Sequence, residues 1–222
     1  MRAPDAAELL AVWERGERQR PSQRVMAMLR AAAPDAPPDA LLALPVGEGE
    51  QQLLRLRREL FGEHFSAVTS CPSCGEAIEV EFDFDDVGGT DKSVRSTRYR
   101  VPTVGDLIAV EGAADVETAR VALLRRCAGD GEDAADVAAE LAAADPQADV
   151  TLPVECPSCG DAWREPFDAA SFLWTEIAAA ARRLLSEVHV LASAYGWSER
   201  DILALSPARR HAYLEMVPWP TI

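Results

Sequence analysis

The amino-acid sequence predicts an α+β fold in which helices precede, separate and follow short β-hairpins. Three observations support this prediction. Apolar residues recur at helical spacing near both ends of the chain, and the segment EAIEVEFDF alternates apolar with acidic residues, as a half-buried strand does. In addition, the pentapeptide CPSCG occurs twice, at residues 71–75 and 156–160. The 222 residues, of which 48% are hydrophobic, are enough to bury a sizeable core.

The first predicted unit, residues 1–66, is a helical N-terminal module. Apolar residues have helical spacing in three segments, separated by Pro21 and by the loop PDAPPDA: Ala6 to Trp13, Arg24 to Ala32 and Gln51 to Phe61. We therefore expect short helices joined by proline-containing turns.

The second predicted unit, residues 67–168, contains the strands and a helical insertion at about 103–149. The first strand is EAIEVEFDF, and after the turn-rich tract DVGGTDKSVRST we expect Tyr99 and Val101 to form a second strand that pairs with it. Thr103 followed by Asp106 is typical of a helix N-terminus. Two further helical patterns follow before VTLPVEC returns to extended structure.

The third predicted unit, residues 169–222, is helical. Its longest periodic segment begins near Asp168 and ends near Gly196, with Ile177, Leu184 and Val188 expected to point inward. Ser198 with Asp201, and Ser206 followed by Pro207, then predict two short helices.

The four cysteines of the two CPSCG segments have the spacing of metal ligands. Two thiolates separated by two residues can bind one ion from a tight turn, in which proline presets the backbone and glycine permits a positive φ. The two pairs, Cys71 with Cys74 and Cys156 with Cys159, therefore predict one structural Zn²⁺ bound by zinc-ribbon-like β-hairpins. Four sulfur ligands leave no open position for water, so the predicted ion is not catalytic.

Other interpretations of the cysteines remain open. A CxxC pair also occurs in redox sites at the start of a helix and in iron–sulfur sites, although here each pair is followed by glycine and an extended segment. His64, seven residues before Cys71, is a further candidate ligand. Cys127 lies on an apolar helical face and is expected to be a core thiol.

Charge and motif content narrow the function classes. The net charge of −15 repels phosphate backbones and disfavours a nucleic-acid partner. No glycine-rich phosphate loop, HExxH or GxSxG pattern is present, so we expect no enzymatic activity and no small-molecule substrate. The N-terminal segment mixes acids and bases, unlike a signal peptide, and no segment is apolar for long enough to span a bilayer; we therefore expect a cytoplasmic protein without a membrane partner.

The segment from the second CPSCG to the C-terminus resembles the baseplate proteins of T-even-type contractile phage tails and related bacterial contractile injection systems. The resemblance is carried by FLWTEI, VHVLASAYGWSERDILAL and SPARRHAYLEMV, and it extends over the first CPSCG and RYRVPTVGDL. It implies a non-enzymatic structural or assembly role, with other baseplate or tail proteins as partners and with a place in the cytoplasm or in an assembled particle. Arg209, Arg210 and Trp219 are the residues we expect to contact such partners.

Two other functions remain open on the sequence. Zinc ribbons commonly serve as adaptors in transcription or RNA handling, and salt-sensitive binding of nucleic acid by this protein would favour that function. A redox enzyme that uses the CxxC pairs is the third possibility.

Overall fold

A computed structural model describes residues 4–88 and 97–217. The helices are α1 (Ala6–Gly16), α2 (Pro21–Ala32), α3 (Pro38–Leu42), α4 (Val46–Phe61), α5 (Phe84–Gly88), α6 (Val104–Val110), α7 (Val116–Ala128), α8 (Ala134–Ala144), α9 (Ala169–Tyr195), α10 (Glu199–Leu203) and α11 (Pro207–Met216). The strands are β1 (His64–Ser70), β2 (Ala77–Asp83), β3 (Thr151–Glu155) and β4 (Ala162–Pro166). The combination of helices and strands that the sequence predicts is confirmed.

The largest core is formed by the front helices packed against the first half of α9. Met28, Leu53, Leu173 and Ile177 are almost fully buried in it. This arrangement follows from amphipathic helices that are too short to be stable alone and that gain stability by burying an apolar face. The helix α9 therefore serves as the common support on which the front of the chain folds.

Acidic residues of the insertion cap the front helices. Neither α2 nor α4 has a capping side chain of its own. Glu111, just after α6, accepts hydrogen bonds from the backbone N–H and hydroxyl of Ser22 in the first turn of α2. Asp145, after α8, accepts one from Gly47 N at 2.9 Å in α4, where a Cβ would collide with its carboxylate. Carboxylates satisfy free N–H groups at helix N-termini, so these acids fasten the insertion to the front module.

The insertion also has a small core and a buried carboxylate. Tyr99, Cys127 and the apolar face of α8 pack together. Asp106 is buried and caps α6 together with Thr103, as the sequence predicts. Its carboxylate also accepts hydrogen bonds from Arg100 and Arg126. Although burial favours its protonated form, these partners hold the pKa of Asp106 well below its usual range.

The predicted pairing of the RYRVPT segment with the first strand is wrong. The described chain places β2 against β1, which precedes the first CPSCG, with His64 opposite Asp83 and Ser70 opposite Ala77. The RYRVPT segment contributes only an isolated bridge between Pro45 and Thr103. A hairpin closed by a short turn costs less conformational entropy than one closed across a longer connection, so the local partner is preferred.

The C-terminal helices follow the predicted boundaries closely. Asp168 caps α9, and Gly196 ends it with φ 69°. Ser198 and Ser206 cap α10 and α11. Ile177 and Leu184 are buried as predicted, whereas Val188 is only half-buried.

The two arginines of α11 differ in their surroundings. Arg209 is exposed, but Arg210 is 5% exposed, ion-paired with Glu187 at 2.8 Å, and bonded to the carbonyl of Leu205. Arg210 therefore contributes to the packing of α11 on α9 and is not a free surface charge. Trp219 and most of the DVGGTDKSVRST tract lie outside the described residues. Within the described residues, none of the helices combines the length and the apolar character needed to cross a membrane.

Candidate metal centre

Each CPSCG segment is the loop of an antiparallel hairpin. The first joins β1 to β2 and the second joins β3 to β4, and the two hairpins form separate two-stranded sheets. Strand alternation buries Phe65 and Phe82 on one face of the first hairpin and Leu152 and Val154 on one face of the second. Each pair of cysteines is thereby placed at the end of a rigid hairpin.

The two loops have the same backbone geometry. Gly75 N donates to Cys71 O and Gly160 N donates to Cys156 O, both at 2.9 Å. Gly75 and Gly160 have φ of 77° and 75°, a backbone conformation that residues other than glycine rarely adopt. The repeated pentapeptide therefore encodes one turn twice, and the turn holds both cysteines of a pair on the same side.

The four sulfur atoms come together between the two loops. Cys71 Sγ lies 3.7 Å from Cys159 Sγ, and Cys74 Sγ lies 3.7 Å from Cys156 Sγ. All four sulfurs lie within 4.8 Å of one another. Cys71 and Cys156 are buried, while Cys74 and Cys159 are exposed. This cluster could hold one metal ion, reached by solvent from the side of Cys74 and Cys159.

An aromatic cluster at the ends of the hairpins remote from the sulfurs aligns the two hairpins. Phe65 and Phe82 of the first hairpin stack with centroids 4.8 Å apart, and Phe82 meets Phe167 edge-on at 5.3 Å. Phe172, in the first turn of α9, completes the cluster. Nearer the loops, Ser73 Oγ donates to Asp161 Oδ2 at 2.6 Å. The cysteine pairs thus meet because apolar burial aligns the hairpins that carry them.

Because the four thiols lie close together, the pKa of each depends on its neighbours. Burial opposes ionisation of Cys71, but the backbone amides of Cys74 and Ser73, with the thiols of Cys159 and Cys74, lower its pKa to about 7. For Cys159, the amide of Asp161 favours the thiolate, yet the neighbouring thiols and burial raise its pKa to about 12. Several thiolates this close repel one another, so a bound cation is required for all four to be ionised together.

The remaining candidate residues lie away from the sulfurs. His64 is at the opposite end of β1 from Cys71, where its Nδ1 is 3.2 Å from Asp83 Oδ1, and it does not belong to the four-residue cluster. Cys127 is buried beside Tyr99 in the insertion, and burial raises the pKa of its thiol. The predicted ligand set therefore stays with the four CPSCG cysteines.

Sequence reasoning missed two supports of this centre. The strand β1 was not predicted, although HFSAVTS carries the alternation of a half-buried strand. Arg57 lies in a helical pattern, where an arginine is usually solvated, but it is buried, stacks on Phe65 and donates two hydrogen bonds to Glu176 of α9. It ties α4, the first hairpin and α9 together.

Comparisons with protein-family models, with curated proteins and with solved structures gave no match.

Proposed function

We propose that the four cysteines bind one structural zinc ion. A tetrahedral ion with zinc–sulfur distances of ~2.3 Å separates its sulfurs by ~3.8 Å, close to the 3.7 Å between the two cross-hairpin pairs. A cluster of several irons would hold the cysteines farther apart. Four thiolates fill the coordination of the ion, so its role is to clamp the hairpins and not to activate water.

We further propose that the protein is a non-enzymatic structural or assembly component of the baseplate of a phage-like contractile tail or injection system. What supports this proposal is the resemblance of residues 156–217 to the sequences of that family, through FLWTEI, VHVLASAYGWSERDILAL and SPARRHAYLEMV. These residues form one continuous part of the fold, namely the second CPSCG loop, β4, α9, α10 and α11.

The FLWTEI segment of the similarity coincides with the structural centre of the chain. Leu173 and Ile177 are in the main core, Trp174 packs against Arg24, and Glu176 pairs with Arg57. The later segments comprise the second half of α9 with α10 and α11 packed on it, a helical arm in which Tyr195, Trp197 and Tyr213 make mutual aromatic contacts at 4.7–5.8 Å. A rigid scaffold with a helical arm suits a protein that holds other subunits in place.

Deletion of the gene tests the baseplate proposal. Sheath and tube proteins should remain in the cell, while complete contractile particles should be absent or lack a normal baseplate in electron micrographs. Complementation with the wild-type chain or with Cys127→Ser should restore particles, and Cys71→Ser should not. Normal, functional particles in the deletion strain would contradict the proposal.

The arm offers a second, more local test. Arg209→Glu should weaken copurification with a baseplate protein, because a reversed charge at an interface rim opposes association. Arg183→Glu, at an exposed position of α9, is the matched control. If the two changes had equal effects on copurification, or if neither had an effect, Arg209 would not be part of the interface. Arg210 is unsuitable because its loss would leave Glu187 without its partner.

A zinc-ribbon adaptor in transcription or RNA handling is the second candidate, favoured by the placement of both cysteine pairs at hairpin ends. Its electrostatic basis is weak, because α4 carries a basic cluster of Arg55, Arg57 and Arg58, and two of these three arginines are engaged within the chain. Arg57 pairs with Glu176 and Arg58 stacks on Phe84. Salt-sensitive binding of RNA or DNA by the purified chain would favour this candidate.

A further inference from the structure

The outer edge of β1 has backbone groups without a partner strand. The hydrogen bonds Phe84 N to Glu63 O and Cys71 N to Glu76 O set the register, so odd-numbered residues of β1 pair with β2. Ser66, Val68 and Ser70 consequently direct their N–H and C=O groups away from β2. Within the described residues, no other strand pairs with this edge.

The three other strand edges of the hairpins are blocked. In the second hairpin, the hydrogen bonds Cys156 N to Asp161 O and Phe167 N to Val150 O set the register. In this register Pro153 and Pro166 are at outward positions. Proline has no N–H to offer an added strand. The outward positions of β2 include Glu79, Glu81 and Asp83, and the N–H of Asp83 is taken by Asp86. Proline and charge are the usual protection of strand edges, and β1 carries neither along Phe65 to Ser70.

A cleft of about 500 Å³ runs along this unprotected edge. It is lined by Ser66, Ala67, Val68 and Thr69 of β1 and by Val80 and Phe82 of β2, and on the far side by residues of β3, β4 and α9. Side chains of consecutive strand residues point to opposite faces, so a cleft lined by four in a row reaches the edge of β1 as well as its inner face. Val68 is 73% exposed at this edge.

The charged side chains of the cleft are acidic, within a lining that is mostly apolar. The lining includes Glu165, Asp168 and Glu176 and, among the described residues, no lysine, arginine or histidine. Glu176 is neutralised by Arg57, whereas no ion pair involving Glu165 or Asp168 is present in the described chain. The net charge of −15 also opposes association with a second copy of the same chain.

We propose that the edge of β1 is a docking site for an extended segment of a partner protein, which adds to the first hairpin as a third strand and carries basic residues. Main-chain hydrogen bonds to Ser66, Val68 and Ser70 provide the affinity, and the acidic residues of the cleft select the charge. This site is separate from the exposed cysteines of the metal centre, and it does not depend on which assembly the protein serves.

Selection of peptides on the purified, metal-loaded full chain tests the site. From a displayed library of random ten-residue peptides, the enriched sequences should alternate β-branched with polar residues and contain lysine or arginine. Val68→Pro should weaken their binding ~10-fold or more, because it removes an outward N–H, while Val68→Ala should keep binding within ~3-fold. Ser66→Pro should act like Val68→Pro. Amide exchange at Ser66, Val68 and Ser70 should be fast in the free chain and slow with bound peptide.

The proline variants should keep their metal content, since the amides of Ser66 and Val68 do not pair with β2. Absence of selective enrichment, enrichment of acidic or helical peptides, or undiminished binding by a folded Val68→Pro chain would each overturn the proposal. Self-association of the wild-type chain that Val68→Pro abolishes would assign the edge to a second copy and would also overturn it. None of these failures bears on the baseplate proposal, which the deletion experiment tests.

Discussion

At the scale of single residues, the cysteines differ in what their removal should cost. Structural zinc contributes on the order of 10 kcal/mol in small metal-dependent modules, comparable to the stability of a whole domain. Cys71→Ser or Cys156→Ser should therefore lower both zinc content and the free energy of unfolding sharply. Cys127→Ser should leave zinc content unchanged, because Cys127 lies in the core of the insertion. Elemental analysis and denaturant unfolding measure the two effects, and zinc-free wild-type protein prepared without chelator would contradict the assignment.

Glu50 is the residue whose charge should make stability depend on pH near neutrality. Burial, then the charge of Asp168, raise its pKa from 4.5 to about 7, against the amides of Ala169 and Ala170. The folded chain keeps this proton between those pH values while the unfolded chain releases it. Stability should therefore fall as pH rises from about 4.5 to about 7, by up to ~3 kcal/mol, and then level off.

Glu50→Gln removes the titration of residue 50, so comparing this variant with the wild type separates the effect of Glu50 from that of every other titrating group. The difference in unfolding free energy between the variant and the wild type should shift in favour of the variant between pH 4.5 and 7. Urea unfolding across this pH range measures the difference. A difference that stays constant with pH would show that Glu50 has an ordinary pKa.

At the scale of elements, α9 has a buried and an exposed face whose substitutions should differ. Leu184 is 8% exposed in the main core, whereas Arg183 beside it is exposed. Leu184→Ala should cost ~2–5 kcal/mol through lost burial and the cavity left behind. Arg183→Ala should cost less than ~0.5 kcal/mol. Thermal or denaturant unfolding of the two variants compares them, and equal losses would mean that the helix is rotated relative to the core.

At the scale of the whole molecule, the proposed ion joins parts of the chain that are 88 residues apart at Cys71 and Cys159. A cross-link that closes a loop of this size stabilises by ~4–5 kcal/mol in the chain-entropy model. Removal of the metal with a strong chelator should therefore destabilise the chain by at least that order. Amide protection should be lost first in β1 to β4, because the helical core of α1, α2, α4 and α9 has its own buried residues. Unchanged protection of the hairpins in metal-free protein would show that aromatic packing alone holds them.

Local features of this chain could be predicted from its sequence because they depend on neighbouring residues. Helix periodicity, the caps at Thr103, Asp168, Ser198 and Ser206, and the turn encoded by CPSCG each need only a few consecutive side chains. The identity of the two pentapeptides also predicted that the four cysteines would meet, and the sulfur distances agree with that prediction.

Only the tertiary structure decided which distant groups become partners. The pairing of β2 with β1, the burial of Arg57 against Glu176, and the caps that Glu111 and Asp145 place on α2 and α4 join residues far apart in the chain. From charge and polarity alone, the arginine and the three acidic residues among these partners would be expected to face solvent. Their environment is set by which apolar faces pack together, and the chain can bury those faces in several ways that a one-dimensional pattern does not distinguish.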